Sequence, residues 1–175
     1  MIDGSGALEL ADAAVSDTLA RLEAMGDVEI VAGKLTAGGV TLNDSTALVD
    51  AVKEHHGFGC TIFQGNVRIA TMAFAAGKNE RALGTTANDM VTRLVYRLGQ
   101  RFEGVTRTIG KDWVIIYVPL RSHAGRIVGM LAAYREIDDF LGDLSLLDDT
   151  YEAVLLQTPD GRIQDANRAA CDKLE

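Results

Sequence analysis

The chain has 175 residues and a mass of 18.7 kDa, with 47% hydrophobic and 24% charged residues, a globular composition long enough to bury one sizeable core. Its formal net charge of -8 and pI of about 4.8 repel phosphate backbones and anionic lipid head groups, which argues against nucleic acid as a partner. Two cysteines, Cys60 and Cys171, form neither a disulfide framework nor a metal-ligand spacing, and no apolar run approaches the roughly 20 residues that span a bilayer.

Leu8, Ala11, Val15, Leu19, Leu22 and Met25 recur at spacings of three and four, with Gly26 just beyond, which predicts an amphipathic helix over 8–25. Short strand pieces follow at 28–31, 34–36 and 40–42, separated by Gly33 and Gly38-Gly39. Asn43-Asp44-Ser45 can cap a second helix over Thr46 to Lys53, which runs into His55-His56-Gly57. Cys60 to Gln64 and Val67 to Ala73 alternate around Gly65-Asn66 as a hairpin that carries Phe63, Arg68 and Thr71. Asn88 to Leu98 reads as a helix ended by Gly99. Phe102 to Ile109, Trp113 to Leu120 and Ile127 to Tyr134 then read as an antiparallel meander, and the fold class is α+β. Ile137, Phe140, Leu141, Leu144, Leu147 and Tyr151, with acids between them, predict a connecting helix over 137–151. Strand and turn pieces from 152 open a further module that the chain leaves unfinished. The ending Leu174-Glu175 matches a common cloning junction, so the chain is read as a fragment.

Alternation along the strand at 113–120 puts Trp113, Ile115 and Tyr117 on one face and Val114, Ile116, Val118 and Leu120 on the other. The aliphatic set suits packing under a helix, whereas polar-tipped aromatics suit the wall of a small-molecule pocket, or else an ordinary core. Arg68 is either the charged end of that pocket or a strand cation in water, partnered by a local acid such as Glu80. Thr71 either meets ligand or hydrogen-bonds across the sheet. Arg81 is read as a loop cap, His55-His56 as a solvated pair, and Cys60 as a small buried hydrophobe. The aspartates at 138–139 and 148–149 read as a solvated helix face. No metal site, cofactor or catalytic residue is expected, because no nucleophile-base pair or phosphate-binding loop is legible.

Within this frame, Thr61-Ile62-Phe63-Gln64-Gly65, Arg68-Ile69-Ala70-Thr71, Arg81-Ala82-Leu83-Gly84-Thr85, Tyr117-Val118-Pro119-Leu120 and Gly125-Arg126-Ile127-Val128-Gly129-Met130-Leu131 resemble, in order and spacing, a single Cache sensor domain. The resemblance covers about residues 7–136. Leu155 to Ala170 separately resembles the opening strands of a PAS domain. The division implied is a Cache domain with its N-terminal helix over 1–136, a signalling helix over 137–151, and a truncated PAS start over 152–175. The resemblance implies a PAS-like fold, with a long N-terminal helix packed outside a central antiparallel sheet. It also implies a sensory module of chemoreceptors, sensor kinases or cyclic-dinucleotide enzymes, with no catalysis of its own.

Carboxylate-binding relatives place ligand contacts at positions matching Arg68, Thr71, Ile115 and Tyr117; Phe63 and Trp113 complete the expected ligand-binding set. One guanidinium matches one carboxylate, so the expected ligand is a small monocarboxylate. The alternative is a structural dimerisation module with a closed pocket. A homodimer through the 8–25 helix is expected, together with an output domain beyond this chain. Cache modules usually lie outside the membrane and PAS modules inside, yet no membrane span separates the two here. A cytoplasmic sensor is therefore expected, with an extracytoplasmic one as the alternative.

Overall fold

The computed structural model describes residues 4–75, 78–108, 111–136, 155–157 and 163–166. They divide into one unit of Met1–Thr106 with Val114–Arg135 and another of Arg107–Trp113 with Glu136–Glu175. In the second unit, strands Leu155–Gln157 and Ile163–Ala166 pair antiparallel. The 137–151 helix expected from the sequence lies outside the described residues.

The first unit opens with helix α1 (Gly4–Met25), then three short strands, β1 (Val28–Val31), β2 (Lys34–Ala37) and β3 (Val40–Thr41), which form a small antiparallel sheet. Of the stripe read from the sequence, Ala11, Val15 and Leu22 are buried, with Val15 and Leu22 at 1% and 2% exposure, and Ala14 and Thr18 join them, whereas Leu19 and Met25 are exposed: the buried face is turned away from those two positions. Val15 and Leu22 are covered within the protomer, so neither calls for a second subunit.

Helix α2 (Ala47–His56) packs beside α1 and on the main sheet, burying Val49 and Val52. Its start differs from the sequence expectation. Thr46 occupies the cap position with no side-chain bond, while the Asn43 carbonyl oxygen accepts from the Leu35 N–H at 2.8 Å and its amide donates to Gln64 at 3.1 Å. Asn43 therefore ties the small sheet to the large one instead of capping a helix. Gly57, at φ 70°, ends α2 in the left-handed conformation and returns its N–H to Lys53. The histidine pair at this end is not simply solvated either: His56 Nε2 reaches Asp17 of α1 at 3.1 Å.

The main sheet has the order β5-β4-β8-β7-β6, with β4 (Gly59–Gln64), β5 (Val67–Thr71), β6 (Phe102–Thr108), β7 (Lys111–Arg121) and β8 (Ile127–Glu136). Gly65, at φ 59°, turns the β4–β5 hairpin, and Ser122 to Arg126 turns β7 into β8. β4 pairs antiparallel with β5 on one side and β8 on the other. The chain after β5 doubles back so that residues 84–87 lie along that strand's outer edge, where Arg68 N–H donates to the Thr85 carbonyl and Ala87 N–H to the Asn66 carbonyl. It then enters helix α3, Asp89–Val91, which continues as a π-helical stretch over Thr92–Arg97. Asn88 caps that helix by accepting from Val91 N–H at 2.8 Å.

Candidate functional site

The β5 strand holds Arg68 and Thr71 three residues apart, an odd spacing that regular alternation would send to opposite faces of the sheet. The hairpin register resolves this. Thr61 stands opposite Thr71 and Phe63 opposite Arg68, so two steps along β4 match three along β5. The extra residue is a β-bulge, and it turns Arg68 and Thr71 to the same side. That side is the face of Thr61 and Phe63, and it is the face on which α3 packs.

On it, Phe63, Ile115, Tyr117, Met130 and Ala132 from the sheet bury against Ala87, Val91 and Val95. Ile115 and Tyr117 thus share a face as alternation predicts, while Val114, Ile116, Val118 and Leu120 are buried on the other. The Tyr117 ring stands 6.0 Å from Phe63 and 6.1 Å from Phe102, centroid to centroid, in tilted pairs. Trp113 belongs to the other unit and is half-buried.

Arg68 is half-buried at the rim of this cluster. Its guanidinium carbon lies 5.2 Å above the centre of the Phe63 ring, a cation-π distance. One terminal nitrogen donates to Thr85 Oγ1 at 2.8 Å and to the Thr86 carbonyl at 2.9 Å. Glu80 is not its partner, and among the described residues no carboxylate pairs with it. The positive charge is felt inside the cluster. Burial pushes the Tyr117 hydroxyl above its usual pKa and Arg68 pulls it partly back.

Thr71 does bond across the sheet, its hydroxyl 2.6 Å from that of Thr61, and it also accepts from Ala73 N–H at 3.0 Å. Tyr134, at the far end of β8, completes this group. It stands opposite Gly59, and its ring lies so close over Gly59 that a Cβ there would meet Tyr134 Cε2 at 2.4 Å. The ring thereby packs on the face that carries the threonine pair. Burial raises its pKa, and the nearby Thr61 and Thr71 side chains and the charge of Arg68 act in the opposite direction. Thr61, Tyr134, Thr85 and Thr86 were not among the residues singled out from the sequence. The available signals were a glycine opposite a tyrosine and the Thr85-Thr86 pair, both silent until register is known.

Arg81 acts as a clamp. It donates to the Thr71 carbonyl at 3.0 Å and to Asp50 of α2 at 2.7 Å, tying the excursion after β5 to the opposite side of the hairpin. Cys60 is wholly buried on the α1 side, where burial pushes its thiol up to about 12 against weaker hydrogen bonding by Thr18 and the Thr61 backbone. Two surface hollows lie away from the Arg68 face, one beside Asp89, Arg93 and Leu98, the other beside Glu29, His123 and Arg126.

Against known proteins, the family model described as single Cache domain 3 matches residues 40–145. No curated protein sequence matches the chain. Among solved structures, the chain is similar to the E. coli DcuS sensor domain at 12% identity and TM-score 0.49, covering 78% of this chain and 98% of that one. It is also similar to the periplasmic domain of RsbU from Chlamydia trachomatis at 11% identity and TM-score 0.41, covering 76% of this chain and 50% of that one. A C-terminal domain from Streptococcus mutans matches at 13% identity and TM-score 0.37, over 66% and 96% of the two chains. The family match corrects the cytoplasmic placement expected from the sequence: Cache modules usually face outward, and a shared cytoplasmic compartment had been inferred only from a PAS start that the match does not include. No described helix is long and apolar enough to cross a membrane. With its model matched over well more than half of the 175 residues, the chain belongs to the single Cache domain 3 family, a family of non-catalytic modules that sense ligands for signal transduction.

Proposed function

We propose that this Cache domain senses a small organic anion, a monocarboxylate, through Arg68. One observation carries the reading: a half-buried guanidinium lies on an aromatic ring, with no carboxylate partner among the described residues, beside a tyrosine whose ionisation it influences. Its bonds to Thr85 and Thr86 use one terminal nitrogen, which leaves the side-on edge for a bidentate carboxylate. Phe63, Thr71, Ile115 and Tyr117, which lie on the same face of the sheet, are the contacts assigned to that carboxylate. The ligand state is relayed to residues 137–151 and to a PAS start at 152–175, with 1–136 as the sensing domain and an output domain beyond. The aspartates of 137–151 argue against a membrane span between the two modules, and Cache modules usually face outward, so both are assigned to one compartment outside the cytoplasm. Homodimerisation remains part of this proposal through a surface other than the buried α1 stripe.

The density of apolar packing between the sheet and α3 favours a second reading, in which the face is closed and the module sets only geometry. Titration calorimetry with acetate, propionate, lactate and pyruvate decides between them. Binding that weakens roughly ten- to a hundredfold in Arg68→Ala supports sensing. Equal behaviour of the two proteins, or no heat with any of the acids, supports the closed module.

A further inference from the structure

Three hydroxyl-bearing side chains share the Arg68 face on three different strands: Thr61 on β4 and Thr71 on β5, bonded to each other, and Tyr134 on β8, which packs against the same cluster. Two are fully buried threonines, at 2% and 0% exposure. Apolar packing alone does not require them there, because valine has the same shape as threonine and would bury without a hydroxyl to satisfy. The third arrives only because β4 carries glycine at position 59, over which the Tyr134 ring lies. Each hydroxyl can turn its proton to donate or to accept, so the group is a neutral, adaptable hydrogen-bonding end.

The register sets how far this end lies from the cation. The Thr61–Thr71 pair and the Phe63–Arg68 pair are two residues apart along β4, roughly 6.6 Å at about 3.3 Å per residue. With the guanidinium held over the Phe63 ring by Thr85 and Thr86, that separation suits a carboxylate at one end and an oxygen one or two carbons away at the other. We propose that Tyr134, with Thr61 and Thr71, is the specificity-determining group of the Arg68 site and selects short acids that carry a hydroxyl or keto oxygen over plain alkyl acids. The proposal rests on the anion-binding reading above and adds the chemical class of the ligand.

Tyr134→Phe is the informative variant, because the ring keeps its seat over Gly59 and only the hydroxyl is lost. Calorimetry with lactate, pyruvate and propionate should show the native protein favouring the two oxygenated acids by roughly tenfold or more. In Tyr134→Phe that preference should collapse while propionate binds as before. Thr71→Val, also isosteric, should behave alike. Arg68→Ala should lose all three acids. If native protein binds propionate as well as lactate and pyruvate, and Arg68→Ala loses all three, the anion site stands and this proposal falls. An unchanged preference in both Tyr134→Phe and Thr71→Val overturns it equally. If native protein binds none of the acids, the anion reading itself fails and takes this proposal with it.

Discussion

Cys60 lies on the side of β4 that faces α1, next to Thr18, with no exposure to solvent. A thiolate there would lose its hydration without gaining a cation, so burial holds the thiol neutral and lifts its pKa from 9.0 to about 12. The consequence for stability has a definite sign. Between these two values the unfolded thiol has released its proton while the folded one keeps it, so the folded state binds more protons and stability falls as pH rises. Below pH 9 the two states are equally protonated at this site, and its contribution is constant. Urea unfolding at a series of pH values should therefore show a loss approaching about 1.4 kcal/mol per pH unit above pH 9, with a visibly shallower slope in Cys60→Ala. Identical slopes in the two proteins would mean that the thiol already meets solvent in the native state. The same burial makes Cys60 a poor redox sensor, since the reactive form of cysteine is the thiolate.

At the scale of elements, α1 shows how far an amphipathic pattern can be read: Leu19 and Met25, on the same three-and-four spacing, stay exposed. The spacing of Ala11, Val15 and Leu22 marks the buried face, but periodicity states only that a stripe must be covered, not by what. The cover is α2 and the sheet of the same chain, fastened by Asp17, which holds Arg21 at 2.7 Å and His56 at 3.1 Å. Leu22→Ala should thus lower stability by about 2–5 kcal/mol, the usual range for a leucine truncated in a packed core, as measured by urea unfolding. A change in sedimentation with an unchanged unfolding midpoint would instead put Leu22 between subunits. Elements with local signals were legible in the same way: Gly65-Asn66 turns a hairpin, and the alternation over 113–120 sorts Ile115 and Tyr117 from their aliphatic neighbours. The bulge that brings Arg68 and Thr71 to one face had no such signal, because it exists only in the pairing of β5 with β4. Nor did the bond from Arg81 to Asp50, 31 positions earlier, or the Tyr134 ring over Gly59, which joins positions far apart in sequence. Family resemblance led to Arg68 and Thr71; pairing geometry is what adds Thr61 and Tyr134.

For the whole molecule, the question is how occupancy of one face reaches the rest of a signalling protein. A ligand shifts an equilibrium only through contacts that differ between two states, so the route must begin at a residue that touches the site and belongs to an element leaving it. Tyr117 lies one strand removed from the exit. In the proposed site Tyr134 meets both conditions: it packs on the face that carries Thr61 and Thr71, and its backbone lies two residues before the end of β8 at Glu136. A ligand oxygen that re-forms the hydroxyl group would act on Tyr134 across β4, where Gly59, Thr61 and Phe63 pair with Tyr134, Ala132 and Met130. The opposite end of β8, at Ile127, turns back into β7 through a tight hydrogen-bonded turn and has no free chain to move. Hydrogen exchange of the full chain, with and without saturating lactate, should therefore change most in residues 130–136 and in the following segment 137–151, with smaller changes at 122–128. In Tyr134→Phe at equal saturation, the changes at 137–151 should shrink by at least half while those around Arg68 persist. Changes confined to residues 60–120 in the native protein would cut this route and leave α1, packed on the reverse side of the same sheet, as the path by which the domain reports its ligand.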